Sequence, residues 1–298
     1  MLDYNIKPFV FTDMFKISTI YTMFNSSYNP GDSFIGESHD FWEFTYIKEG
    51  SLFNCVDDKV YEIKKGDLIF YKPMEFHHHY VEDENGVNTF FIAFSFENCP
   101  PDFAADTVYK LNPHQKEIIE KLIDFVNNAE KTSTFTEEEI AIQKENYINY
   151  DYVKPLLALN KKPLSKAIVL NYIYELFLSL CDSKNIVEET DSYHAGIYRD
   201  AIAFMTEHIS EKITVSDIAN HCHISETSLK KIFYQFTNTS IHKYFTRLKI
   251  TQAIILLKSG VSSIEVTRRI GFADQAYFSV AFKRETGFTP REYLKKGE

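Results

Sequence analysis

Cysteine is scarce and unpaired in this chain of 298 residues. Cys55, Cys99, Cys181 and Cys222 stand far apart, which excludes a disulfide framework and a thiolate zinc site and points to a reducing compartment. No run of ~18 apolar residues is present, so no membrane partner is expected. Met1 to Tyr4 open no basic, apolar signal segment, and a soluble cytoplasmic protein is expected. Positive charge is also short: 32 Lys and Arg face 42 Asp and Glu, a net of −10. That deficit is uneven. From Ile197 onward there are 15 Lys and Arg against 10 Asp and Glu, net +5, and the preceding residues hold 17 against 32, net −15. An acidic N-terminal part is joined to a basic module able to attract phosphate.

The basic module contains one pattern twice. Val215 to Phe233 and Ser263 to Arg284 each read as a short helix, a small-residue turn and a second helix with polar residues at its start. Ile218 pairs with Val266 at an offset of 48 and Phe233 with Phe282 at 49, so the second turn holds one extra residue. Each copy is expected to be a helix-turn-helix, and two on one chain imply a grip on double-stranded DNA. Ser216 reads as the cap of the first positioning helix, with Ser225 and Asp274 capping the recognition helices. This leaves Thr227, Ser228, Lys230 and Lys231 in one copy for the groove. In the other, Gln275, Ala276, Ser279, Val280, Lys283 and Arg284 remain. Between the copies, apolar positions 241, 244, 245, 248, 255 and 256 predict a buried helix stripe, with Gly260 placed for a C-cap. Its roughly 19 residues span about 28 Å, close to the ~34 Å between successive major-groove faces.

The run Arg269 to Phe278, then Phe282, Lys283, Arg284, Gly287 to Pro290 and Tyr293, resembles the second-motif signature of the AraC/XylS family of transcription regulators. Three positions depart from that pattern. Asn238 stands where the first motif usually has Gly, and tolerates the left-handed conformation Gly would supply. Val280 replaces a common groove-reading Arg with a methyl surface suited to thymine. Leu294 stands where Arg often follows the final Tyr.

Residues 1–110 read as strands. Ile17, Thr19, Tyr21 and Met23 alternate, and runs at 41–47, 52–56, 59–63, 67–71 and 89–96 are separated by Gly31, Gly50, Asp57-Asp58, Gly66 and Gly86. Many short strands with glycine turns predict a barrel or jelly roll. Glu37, His39, Glu43 and Gly50, followed by Gly66, Asp67, Pro73 and His77, resemble the two cupin motifs, with Glu at a leading position that usually carries His. The fold class expected is therefore α+β: an N-terminal cupin-type barrel, a helical connector and a C-terminal all-α domain. The division runs 1–110 sensing barrel, 111–182 helical dimerisation segment, 183–191 linker and 192–298 DNA-binding domain. Within the last, the first motif covers 215–236, the connecting helix 240–258 and the second motif 263–284.

Even steps place Glu37, His39 and Glu43 on one face if they share a strand, with His77 returning opposite, a two-His, two-carboxylate set. Within His77-His78-His79, only the outer two can face one pocket. The ligand-binding residues expected are His39, Trp42, Glu43, Lys48, His77 and His79, aided by Phe41, Tyr46, Tyr71, Phe76 and Tyr80. Aromatic faces beside polar tips suit a sugar. Apolar stripes over 113–128 and 166–180 either pack on the barrel or, as the resemblance implies, dimerise the protein.

The reading is a transcription regulator of promoter DNA answering to a small effector in its barrel. The resemblance implies a homodimer, activator action and RNA polymerase as a partner, while the residues themselves leave activation or repression, and dimerisation by the helical segment, open. No catalytic residue, metal ligand or cofactor is assigned. The alternatives are a metal-dependent cupin enzyme fused to a DNA-binding domain, which would show bound metal and turnover, and a ligand-independent DNA-binding protein with an occluded barrel.

Overall fold

A computed structural model describes residues 16–98, 108–146, 150–181, 186–190 and 192–296. Cys99 and residues 183–185 and 191 of the expected linker lie outside them. The architecture is α+β. The strands are β1 (Lys16–Tyr28), β2 (Ser33–Glu37), β3 (Trp42–Val56), β4 (Lys59–Lys64), β5 (Asp67–Tyr71), β6 (His77–Tyr80), β7 (Val87–Glu97) and β8 (Val108–Lys110). Helices α1 (Pro113–Thr132), α2 (Glu137–Asn146), α3 (Tyr150–Asn160) and α4 (Ser165–Cys181) follow, then α5 (Tyr193–Glu207) to α11 (Pro290–Lys296).

Two antiparallel sheets share one strand. The first runs β1-β7-β3-β5-β8, and in the second β6 lies between β2 and the far half of β3, which also pairs with β4. The sequence pattern suggests two strands around Gly50; instead β3 runs unbroken through it and turns a corner between the sheets. Gly50 has φ +77°, and a Cβ there would meet the Gly86 carbonyl at 2.1 Å, so only glycine allows this crossing.

Side-chain parity along β3 decides what each sheet face does. Phe44 and Tyr46 point outward into a core formed with Phe70, Phe94, Ile119, Leu122, Ile173 and Phe177. The stripes of α1 and α4 are therefore spent on the barrel's outer face, with α1 started by an Asn112–Gln115 capping box. Each fully buried Phe or Leu there contributes roughly 1.5–3 kcal/mol.

The C-terminal region holds α6 (Val215–His221), α7 (Glu226–Thr237), α8 (Ile241–Lys258), α9 (Ser263–Arg269) and α10 (Gln275–Thr286). Thr214, rather than Ser216, caps α6, because Asp217 completes a reciprocal capping box with it. Ser225 and Asp274 cap α7 and α10 as expected. The buried stripe of α8 differs from the expected one. Ile241 and Tyr244 are buried, but the stripe continues through Lys249, Ile250, Ala253, Ile254 and Leu257, while Ile255 is exposed. The helix packs its first half in one core and its second half in another, so its buried face rotates along its length.

Candidate functional site

Inside the barrel, a cavity of about 230 Å³ is lined by Phe34 and Glu37 of β2, Glu43 of β3, Tyr71 of β5, His77 and His79 of β6, and several aromatics. Phe34 and Glu37 are three residues apart, so a regular strand would aim them oppositely. A register break between them brings both to the wall. Gly36 makes that bulge: its φ is +88°, and a Cβ would meet the His77 carbonyl oxygen at 2.9 Å.

His39 is not in a strand. It sits between β2 and β3, its Nδ1 2.9 Å from the Phe41 carbonyl oxygen and its ring stacked on Phe41. The loop returns its Nε2 to 3.6 Å from a Glu43 carboxylate oxygen. His77 stacks on Tyr71 with centroids 3.9 Å apart, and its Nδ1 lies 3.2 Å from the Glu75 carbonyl oxygen. Carbonyls only accept, so each neutral ring keeps its proton on Nδ1 and presents an Nε2 lone pair. One ligand atom from each of Glu37, His39, Glu43 and His77 lies within 4.8 Å of the others.

Burial dominates the electrostatics. It drives His77 well below the ordinary imidazole range, helped by the neighbouring His39, and lowers His79 to about 4 and His78 to about 3. Burial also opposes protonation of His39, yet the Glu43 contact and the field of Glu37 outweigh it and hold that ring above its usual value. Glu37 is raised by burial and then by Glu43.

Three expected ligand residues are not in the cavity lining; His39 instead lines a neighbouring cavity with Gly36, Asp40 and Arg247. Trp42 packs on the outer core, its ring 6.0 Å from Phe96, because it neighbours Glu43 and must face the opposite way. Lys48 reaches Asn25 at 2.8 Å and also misses the cavity. Tyr46 joins the outer core, and Phe76 and Tyr80 turn toward the C-terminal helices. Tyr28, Phe24 and Phe91 line the cavity without having been expected, as does Tyr152 of α3, stacked 3.9 Å above Phe24. Nothing local in the sequence links Tyr152 to strands more than fifty residues earlier.

On the helical side, Thr227, Ser228, Lys230 and Lys231 of α7 are exposed, as are Gln275, Ala276, Val280, Lys283 and Arg284 of α10, with Ser279 half-buried. Lys230 is paired with Glu226 and Arg284 with Glu285. Asn238 takes the left-handed conformation, φ 45°, and its amide donates to Ser33 of β2. Arg247 of α8 reaches the Gly36 carbonyl oxygen at 3.4 Å, and Lys258 pairs with Asp40 at 2.7 Å. The strand that walls the cavity thus also touches the helical domain.

Residues 24–121 match the model of the AraC-like ligand binding domain, and residues 218–296 that of a helix-turn-helix domain. The chain belongs to the AraC/XylS family of transcription regulators. It is 25% identical to the HTH-type transcriptional activator RhaR of Cronobacter sakazakii over 90% of this chain and 89% of that one. It is 21% identical to the uncharacterized HTH-type transcriptional regulator YisR of Bacillus subtilis, over 90% of each. Among solved structures, ToxT of Vibrio cholerae aligns over 94% of this chain and 96% of its own at 14% identity, with a TM-score of 0.36. As an AraC/XylS member the protein is a DNA-binding transcription regulator with a ligand-binding domain. Among the described residues no helix is long and apolar enough to cross a membrane.

Proposed function

We propose that the chain is a transcription activator and not an enzyme, switched by a small polyhydroxylated molecule, a sugar, bound in the barrel cavity. The observation that carries this reading is β2, which contributes Phe34 and Glu37 to the cavity wall and meets the helical domain through Ser33 and Gly36. A ligand that moves Glu37 moves those contacts, and only such a difference between two arrangements can shift their populations. At about 230 Å³ the cavity is below the roughly 300–1,000 Å³ range of drug-sized sites, which suits a monosaccharide. Aromatic faces from Phe24, Phe34 and Tyr152 stand beside the polar tips of Glu43, His77 and His79, as ring stacking with hydroxyl recognition requires. The activator assignment is supported by the likeness to the activator RhaR.

The exposed faces of α7 and α10 would read promoter DNA and help recruit RNA polymerase. Dimerisation is supported by apolar side chains of α4 left uncovered, Ile168 at 38% and Leu178 at 56% exposure. A thermal-shift panel of monosaccharides on the purified chain tests the effector. One sugar should raise the melting temperature of the wild type and not of Glu43→Ala; stabilisation by no sugar, or equally in both, overturns the reading.

A further inference from the structure

We propose that Lys249 is the pin that fixes the distance and angle between the two recognition helices, and so sets the spacing of the two elements that one chain accepts on DNA. α8 packs against α7 along one part of its length and against α9 and α10 along another, so both copies are mounted on it. Ridge-and-groove packing admits crossing angles spread over about 15–20° and does not by itself choose one. A second contact between the copies is needed to hold them in register.

That contact lies between two loops. Ser210 and Glu211, on the entry to α6, run against Ile270 and Gly271, the turn between α9 and α10. Gly271 has φ +66°, and a Cβ there would meet the Ser210 carbonyl oxygen at 2.1 Å, so the second copy's turn is seated directly on the first copy's entry. Lys249, near the middle of α8, closes the joint. Its Nζ donates to the carbonyl oxygens of Glu211 at 3.2 Å, Ile270 at 2.9 Å and Gly271 at 3.4 Å. Three N–H groups meet three acceptors, one from the first copy's side and two from the second's. Ile270 is also the C-cap of α9, where the last carbonyls lack helical partners and a cation is favoured.

Stability alone is a poor reason for a cation here. Lys249 is only 7% exposed and these acceptors are all carbonyls, so its charge is buried without a carboxylate among them. Burial pushes the ammonium down to about 8, and the rings of Phe245 and Phe272, 4.7 and 5.9 Å away, offset part of that cost. An apolar side chain of similar length would fill the space without it. What the ammonium adds is direction. Hydrogen bonds weaken steeply once distance and angle leave a narrow range, and a buried donor left without its acceptor is costly. The joint therefore allows less play than helix packing does.

Such a role needs both α7 and α10 on DNA, the reading given above, and the measurement separates the two. A site is selected from random duplexes with the wild-type full chain, its two elements are mapped by base substitution, and duplexes with one base pair inserted or removed between them are compared with it. That change moves one element by about 3.4 Å and turns it by roughly 35°. The wild type should lose about tenfold or more on each altered duplex, a loss like that from a mismatched base pair. Lys249→Met should lose less than about threefold on them, with no more than about tenfold lost on the unaltered site. If Lys249→Met does not fold, Lys249→Gln, neutral but polar, enters the same comparison. Leu257→Ala opens the second core on the same helix without touching the pin, and should lower the melting temperature yet keep the wild-type discrimination. Lys249→Met discriminating as sharply as the wild type, or Leu257→Ala blunting discrimination as much, overturns the proposal and leaves the two-helix reading standing. A wild type that reads one element alone overturns both.

Discussion

Phe233 in α7 and Phe282 in α10 hold the same place in the two helix-turn-helix copies, and both are fully buried. Their surroundings differ. Phe233 packs against Tyr198 and Tyr244 in a core that also takes in Cys55, Val60, Phe76 and Tyr80 of the barrel. Phe282 packs with Phe278 and Tyr293 in a core drawn from α8 to α11, with Met74 of the barrel packed against its edge. The first copy therefore shares its interior with the sensor, whereas the second owns its interior. A change in the barrel has a direct packing route to α7 and reaches α10 mainly through α8.

The largest effect that tests this contrast comes from Phe76→Ala. Phe76 is 3% exposed and meets Tyr244 edge-on at 5.0 Å. Its truncation should cost about 3–5 kcal/mol, and Phe282→Ala should cost a similar amount. Hydrogen exchange distinguishes them: Phe76→Ala should speed exchange in α7 and leave α10 protected, and Phe282→Ala should do the reverse. Equal loosening of both helices by either variant would show one continuous core.

The contrast itself was only half legible in the sequence. The helical copies announce themselves because caps and apolar spacing are local signals: Ser225 and Asp274 do what their positions imply. What a helix packs against is not local. The stripe of α8 was legible in its first half, but Ile255 is exposed and Ile250, Ala253, Ile254 and Leu257 are buried instead, because two cores, each requiring a different face, cannot be read from one periodicity. In the barrel most strands were legible, though not β2 or β8, and the pocket was not. Period-two parity separates Glu43 from Trp42, and the bulge that turns Glu37 inward depends on a glycine whose role appears only beside β6. Tyr152 arrives from α3, which lies in the segment expected to be helical but between the two stripes named there, and no local signal ties it to the cavity.

A second test lies in pH. Asp57 sits at the shared core: its backbone carbonyl accepts from the Tyr198 hydroxyl and its carboxylate accepts from the Phe76 N–H. Burial pushes its carboxyl up to about 6, with Glu75 and Asp58 adding to the rise, against the Phe76 N–H and Lys59. The unfolded value is about 3.9, so the folded state binds the proton more tightly. Stability from this group is then present at acid pH and lost as pH rises from about 4 to about 6. Asp57→Asn should exceed the wild type by up to about 3 kcal/mol at pH 7, with the gap shrinking toward pH 5. Denaturant unfolding across that range measures it, and a gap independent of pH would reject the shift.

A smaller effect should appear at the free end of each copy, where the surroundings are alike. Gln275 is exposed at the start of α10. If it reads an adenine edge, Gln275→Ala should relax preference at one base pair by about 1–3 kcal/mol while leaving other positions unchanged. Binding-site selection on both proteins supplies the comparison. A uniform loss over all sequences would mean that Gln275 touches phosphate alone.

The smallest effect should come from the residues that end the two recognition helices. Asn238 and Gly287 both adopt the left-handed conformation, with φ of 45° and 79°. Glycine adopts it without penalty, while asparagine tolerates it at some cost. Asn238 has a second task, since its amide donates to Ser33 of the strand that walls the cavity. In Asn238→Gly the backbone gains a few tenths of a kcal/mol and the lost hydrogen bond costs about 0.5–1.5, so net stability should fall by less than about 1 kcal/mol. Stability is therefore the insensitive readout. The variant should instead weaken the coupling between effector and operator binding, measured as the ratio of operator affinities with and without the sugar found in the thermal-shift panel. Gly287→Asn, made where an added Cβ meets nothing within 4 Å, should leave that ratio unchanged at a comparable stability cost. If both variants alter the ratio alike, the first copy has no privileged connection to the sensor.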